Sequence, residues 1–171
     1  GVNYYNPTDD HTSYYEANPD MPHALSFPVV GKMQEDAEHN LWICTEGGGL
    51  NFLDRQTRQF TRYVHNKGGL SGIGHNNLKC IWLRKETGQL YIGTHTGGLT
   101  IFDTRKKTAH TLKNSPDKAN SLPSNVINDL QPYKGKLVLS TQAGIVAMNP
   151  ETETFEPLSP LPDVRSLIEN Y

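Results

Sequence analysis

The sequence predicts an all-β protein assembled from repeated four-stranded antiparallel sheets. Three observations predict it. Apolar residues come in short bursts punctuated by Gly, Asn, Asp and Pro, with no stretch at amphipathic helical spacing. The 15 Gly and 11 Pro make the chain turn-rich without reaching low complexity. The third observation is that the chain repeats itself. Asn40-Leu41-Trp42-Ile43-Cys44-Thr45-Glu46-Gly47-Gly48-Gly49-Leu50-Asn51-Phe52-Leu53-Asp54 superimposes on a segment running from Gln89-Leu90-Tyr91-Ile92-Gly93-Thr94-His95 to Phe102-Asp103. A third copy runs from Lys136-Leu137-Val138-Leu139-Ser140-Thr141-Gln142 to Met148-Asn149, one residue shorter at the turn.

The anchors Leu41, Leu90 and Leu137 are spaced by 49 and 47 residues. In the second copy the bursts fall at 78–83, 90–94, 99–103 and 108–112. Between them lie the turns Glu86-Thr87-Gly88-Gln89, Thr96-Gly97-Gly98 and Asp103-Thr104-Arg105-Lys106-Lys107, and Gly and Asn are the residues that supply the positive φ that short hairpins require. Four strands per repeat give one antiparallel meander, which cannot cover both of its own faces. Radial packing of successive meanders covers both, so strict alternation is not needed, and Leu41-Trp42-Ile43-Cys44 does not alternate. A β-sandwich, the rival, requires polar residues at every second position.

The expected organisation is a partial ring of such sheets. Residues 1–16 form an outer half, since Val2-Asn3-Tyr4-Tyr5-Asn6 matches Leu50-Asn51-Phe52-Leu53-Asp54 and Tyr14-Tyr15 aligns near Arg62-Tyr63 at the rim. Complete units are expected at 29–65, 77–113 and 125–158, and a first strand of the next at 164–171, where Val164-Arg165-Ser166-Leu167-Ile168 echoes the start of the third unit.

Composition bounds the function. The 171 residues carry a net charge of −2, which offers nothing electrostatic for nucleic acid or an anionic membrane. No apolar run is long enough to span a bilayer. The start, Gly1-Val2-Asn3-Tyr4-Tyr5, has neither an initiator Met nor the layout of a signal peptide, and reads as a processed or excised chain. Two cysteines, Cys44 and Cys80, make neither a disulfide framework nor a zinc site. They read as small buried side chains in strands, with one bridge between them as the other reading.

Ser121-Leu122-Pro123-Ser124-Asn125-Val126-Ile127, and Glu35-Asp36 followed by Asn40-Leu41-Trp42-Ile43-Cys44-Thr45 and Gly48-Gly49-Leu50, resemble the two-component regulator propeller repeat. Departures are Cys44 and Ser140 where a small Gly is usual, His39 at the turn Gly, and Val138 in place of the aromatic. The resemblance implies a partial β-propeller of about 3.5 blades. It implies a periplasmic segment of a hybrid two-component sensor histidine kinase that senses oligosaccharide or polysaccharide fragments. In that family a small β-sandwich, a membrane helix and cytoplasmic kinase and receiver domains follow. This sequence has no phospho-acceptor His box and no nucleotide-binding Gly loop, so the segment is expected to be part of the sensor with no catalytic activity of its own. A second copy of the chain would complete a seven-bladed ring.

Candidate binding residues follow from the repeat. The Thr at the end of the second strand recurs as Thr45, Thr94 and Thr141, which points to a structural role for its hydroxyl. The next residue changes from Glu46 to His95 to Gln142, and a polar position varied along one face of a repeat array suits ligand contact. The crossovers between units are polar and long, and Asn66, His75, Asn76, Lys113 and Asn114 join the candidate set. Their side chains suit the hydroxyl and carboxylate groups of a sugar chain. Trp42, Trp82, Tyr91, Phe52 and Phe102 lie within apolar bursts and are expected in the core. Glu35-Asp36-Ala37-Glu38-His39 reads as a solvated hairpin turn that the other copies do not reproduce, so no metal site, catalytic group or cofactor is expected. Two other readings remain: a protein-interaction scaffold, and a carbohydrate-active enzyme with carboxylates drawn from separate blades.

Overall fold

The computed structural model describes residues 2–6, 11–65 and 72–158. These residues form strands, turns and connections, with no helix. A hairpin of β1 (Val2–Asn6) and β2 (His11–Tyr15) precedes three four-stranded antiparallel sheets. The first sheet contains β3 (Val30–Glu35), β4 (Leu41–Thr45), β5 (Leu50–Asp54) and β6 (Gln59–Tyr63). The second contains β7 (Leu78–Arg84), β8 (Gln89–Thr94), β9 (Leu99–Asp103) and β10 (Thr108–Leu112). The third contains β11 (Ile127–Tyr133), β12 (Lys136–Thr141), β13 (Gly144–Asn149) and β14 (Thr154–Pro157). Each is a simple meander in chain order.

The repeat extends to register. Val2 pairs with Tyr15 as Leu50 pairs with Tyr63, so the opening hairpin reproduces the third and fourth strands of a sheet. Each first strand carries an irregularity at its start, between Val30 and Met33, Leu78 and Cys80, and Ile127 and Asp129. Such bulges bend a strand and sharpen its twist. The three first strands lie next to one another, β3 against β7 and β7 against β11. Lys32 on β3 reaches Asp129 on β11 at 2.5 Å, which ties the first sheet to the third.

The core lies in layers between the sheets. Trp42, Cys44 and Leu50 of the first sheet pack against Ile81, Leu90, Ile92 and Phe102 of the second. Tyr91, Leu99 and Ile101 of the second pack against Leu130, Leu137, Leu139 and Met148 of the third. Val2 joins Ile43, Leu53 and Phe60 on the other side of the first sheet. The connections drop one apolar side chain into each layer: Leu25, Ile73 and Leu122, all buried. Each contributes about 1.5–3 kcal/mol of burial, and together they hold otherwise polar loops against the sheets.

Neighbours decide the burial pattern. β8 and β9 are buried on both faces because sheets flank them on both sides. β12 alternates, with Leu137 and Leu139 buried and Val138 half-exposed, although Leu137-Val138-Leu139 is a continuous apolar run. Val138 and Ala147 are cross-strand partners on the face turned away from the second sheet. A concavity of about 490 Å³ lies on that flank, between Tyr133, Val138, Ala147 and Pro157. The expected strand at 164–171 lies outside the described residues. Cys44 and Cys80 are buried and free.

Candidate functional site

The loops after the second strands and the crossovers share one end of the sheets, and backbone hydrogen bonds weld them together. The hydroxyls of Thr45, Thr94 and Thr141 donate to the carbonyls of Gly49, Gly98 and Gly144 at 2.7–2.8 Å. Each hydroxyl also accepts one loop amide, from Gly48, Gly97 and Ala143 respectively. Gly49 and Gly98 close these hairpins at φ 77° and 88°. A Cβ at either would sit 2.3–2.4 Å from the carbonyl oxygen of Tyr63 or Leu112, so both the conformation and the close approach require glycine.

The residue after each Thr occupies the same position in every copy. The amides of Glu46, His95 and Gln142 donate to Val29, Asn77 and Val126, the residues just before each first strand. Their side chains differ in fate. Glu46 is half-exposed and accepts from Lys79 Nζ at 3.0 Å. His95 and Gln142 are exposed. The varied position is thus built on an invariant backbone and presents a carboxylate, an imidazole and an amide along one edge.

The crossover candidates serve mainly the crossover itself. Asn76 Oδ1 accepts from the His65 amide at 2.6 Å, and Asn125 Oδ1 accepts from the Asn114 amide at 2.7 Å. The Asn76 carbonyl takes the amides of Gly47 and Gly49, and the Asn125 carbonyl takes that of Gly98. These two asparagines therefore fasten each crossover to the hairpin of the preceding sheet. Asn114 Nδ2 donates to the Leu122 carbonyl at 2.8 Å, and His65 Nδ1 donates to that of Ile73 at 2.6 Å. His75 Nδ1 accepts from the Asn77 amide, as Ser124 Oγ does from Val126. His75, Asn76 and Asn114 each have a ring or amide atom committed to backbone, while Lys113 is exposed. Asn66 lies outside the described residues.

The structure adds residues that the repeat did not single out. Asn77 Oδ1 is buried with no hydrogen-bond partner among the described residues, and Asn77 forms a bridge with Glu46. Glu46, Lys79, Asn77 and the exposed His95 thus share the junction of the first two sheets. Lys79 was missed because it occupies the bulge of β7, where local sequence carries no sign of which way a side chain faces. Lys32 and Asp129, 97 positions apart in the chain, are likewise juxtaposed only by packing.

Neither cysteine is poised as a thiolate. Burial pushes the Cys80 thiol up to about 12, with the nearby Asp129 carboxylate adding to it, and raises Cys44 well above the usual thiol range. Both remain protonated at neutral pH. The turn containing Glu35, Asp36 and His39 folds on itself: Asp36 Oδ1 accepts the amides of Glu38 and Asn40, and His39 Nδ1 meets Glu35 Oε1. No group of three or more metal-ligating side chains is found among the described residues. No described helix is long and apolar enough to cross a membrane.

No protein-family model matches the chain, and no curated protein matches it. Solved structures do. The extracellular domain of the hybrid two component system BT3049 from B. thetaiotaomicron matches with a TM-score of 0.69 and 28% identity, over 91% of this chain and 20% of that one. Two structures of the extracellular domain of BT4673 from the same organism match with TM-scores of 0.67 and 0.66 at 27% and 29% identity. One is described as a one component system and the other as a hybrid two component system. They cover 90% and 87% of this chain and 21% of each domain. The chain therefore spans about a fifth of the length of the domains it resembles, and it is similar to a part of extracellular domains from signalling systems.

Proposed function

We propose that this chain is an arc of a β-propeller within the extracytoplasmic, periplasmic region of a two-component sensor. The likeness to the BT3049 and BT4673 domains over about nine-tenths of the chain carries this reading. Three meanders with adjoining first strands, layered cores and repeated bulges support it. In this reading the chain is one part of a larger receptor and performs no catalysis itself.

The ligand is an oligosaccharide, taken at the crossover end around Glu46, Asn77, Lys79 and His95. Three features support that placement: the buried Asn77 Oδ1, which has no partner among the described residues, the half-exposed Glu46–Lys79 pair and the exposed His95, whose amide donates to the Asn77 carbonyl. Together they offer donors and acceptors of the kind that hydroxyl groups satisfy. Binding would signal only through a difference in affinity between two arrangements of the intact receptor. The test is calorimetric titration of the chain with a panel of neutral and acidic oligosaccharides. Saturable heat that weakens at least tenfold in His95→Ala and Glu46→Gln is expected. Binding untouched by both substitutions would move the site elsewhere, no binding to any member would defeat the ligand assignment, and turnover of any glycan would overturn the non-catalytic reading.

A further inference from the structure

The opposite end of the same sheets holds a second feature, independent of the crossover end. Between the first and second sheets, where the hairpin turns lie, is a cleft of about 340 Å³. Trp42, Phe52, Asp36, Lys85, Arg105 and Lys107 line it. Trp42 is 1% exposed, and its Nε1 has no hydrogen-bond partner among the described residues. A buried donor left unsatisfied costs about 1–3 kcal/mol. Lys107 stands at φ 58°, and its ammonium lies 4.8 Å from the Trp42 ring centre and 5.1 Å from that of Phe52. Among the described residues neither Lys85, Arg105 nor Lys107 has a carboxylate within 4.0 Å.

The molecule contains its own control. The corresponding cleft between the second and third sheets is bridged by two side-chain contacts to carboxylates. Glu151 takes Arg84 Nη2 at 2.6 Å, and Glu153 takes His110 Nε2 at 2.9 Å. Counted along the repeat, Glu151 and Glu153 correspond to Arg105 and Lys107. The carboxylates that bridge one cleft are therefore replaced by cations in the other. Asp36, which stands opposite them at the position of Arg84, gives Oδ1 to its own turn amides. The first cleft thus gathers three cations and an orphaned N–H, and its two lining carboxylates, Asp36 and Glu38, make no ion pair with any of the three cations among the described residues.

We propose that this cleft binds a small oxyanion, a carboxylate or a sulfate group, held by Arg105 and Lys107 with Lys85 at the side and the Trp42 indole N–H in the wall. Lys107 makes the decisive contact, because it lies partly desolvated over the rings with Asp36 and Asp103 acting on it only from beyond ion-pair distance, and a bound anion would supply a direct partner.

The test follows the two indole N–H resonances of the ¹⁵N-labelled chain during titration with sodium sulfate or sodium acetate, against sodium chloride at matched ionic strength. The Trp42 signal is expected to move saturably with at least one oxyanion, while that of Trp82 stays in place. Lys107→Met should weaken the binding at least fivefold, and Lys118→Gln, remote from the cleft, should leave it unchanged. Saturation by sulfate alone marks a tetrahedral group as the occupant, and by acetate alone a planar one. A Trp42 signal that moves no further than in chloride, or equal affinity in Lys107→Met with an otherwise native spectrum, overturns the proposal.

Discussion

Replacing Thr94 by Val removes one oxygen and almost no volume, so it isolates what the recurring hydroxyl does. In the structure that hydroxyl donates to the Gly98 carbonyl at 2.8 Å and accepts from the Gly97 amide at 2.8 Å, within a buried hairpin. The Gly98 carbonyl keeps a second donor, the Thr94 amide at 3.3 Å. The Gly97 amide has no other partner among the described residues and is stranded. Loss of the donated bond costs about 1 kcal/mol and the stranded amide about 1–2 more, so Thr94→Val is expected to destabilise by about 2–3 kcal/mol. With a urea slope of about 2 kcal/mol/M, the midpoint falls by about 1 M at unchanged slope. Thr141→Val should lose less, about 1 kcal/mol, because the Ala143 amide that it releases sits in an exposed loop where water replaces the hydroxyl. Thr96→Val, an exposed change in the same hairpin, should stay within about 0.5 kcal/mol. The assay is urea unfolding followed in parallel by fluorescence and circular dichroism. Equal midpoints for Thr94→Val and Thr96→Val would refute the reasoning.

Other consequences follow from single contacts. A Cβ at Gly93 would stand 2.4 Å from Cys80 Sγ and 2.6 Å from Ile127 Cγ2. Gly93→Ala is therefore expected to cost about 1–3 kcal/mol in thermal melts, with part recovered on adding Cys80→Ala, and no recovery would show that sulfur is not the obstacle. Arg62 donates to the carbonyls of Asn18, Pro19, Met21, Ala24 and Leu25. Arg62→Met should speed amide exchange at Asn18 and Ala24 at least tenfold, since charged hydrogen bonds contribute about 1.5–3 kcal/mol each, and unchanged protection would count against it. Asp103 lies below the ordinary carboxylate range, first through the Lys106 amide and then that of Arg105, opposed by slight burial. Its folded value being depressed, its contribution is complete above about pH 4 and is lost as pH falls through the lower folded value. Asp103→Asn should flatten that part of the stability–pH curve, and parallel curves for the two proteins would contradict the assignment.

Local pattern made most of the strand framework legible. The spacing of Leu41, Leu90 and Leu137 marks three equivalent second strands, and the offset of 48 residues between Val2 and Leu50 anticipates a pairing found in both hairpins. The Thr recurrence announced a backbone role because only a structural demand repeats while its neighbour changes. The candidate binding set was less legible. Asn76 and Asn114 read as ligand-ready amides in loops, yet the same chemistry suits the capping of loop backbone, and composition cannot separate the two uses.

Hydrogen-bonding periodicity and turn chemistry act over a few residues, so the sequence by itself determined an all-β chain, its four-strand repeat and its hairpin turns. Which cleft is bridged through Glu151 and Glu153 and which gathers cations was decided only when sheets met face to face. So were the pairing of Lys32 with Asp129 and the reach of Arg62 into the loop of residues 18–25. Those contacts join side chains tens of residues apart, and their energies depend on how the sheets are placed, which leaves no periodic trace along the chain.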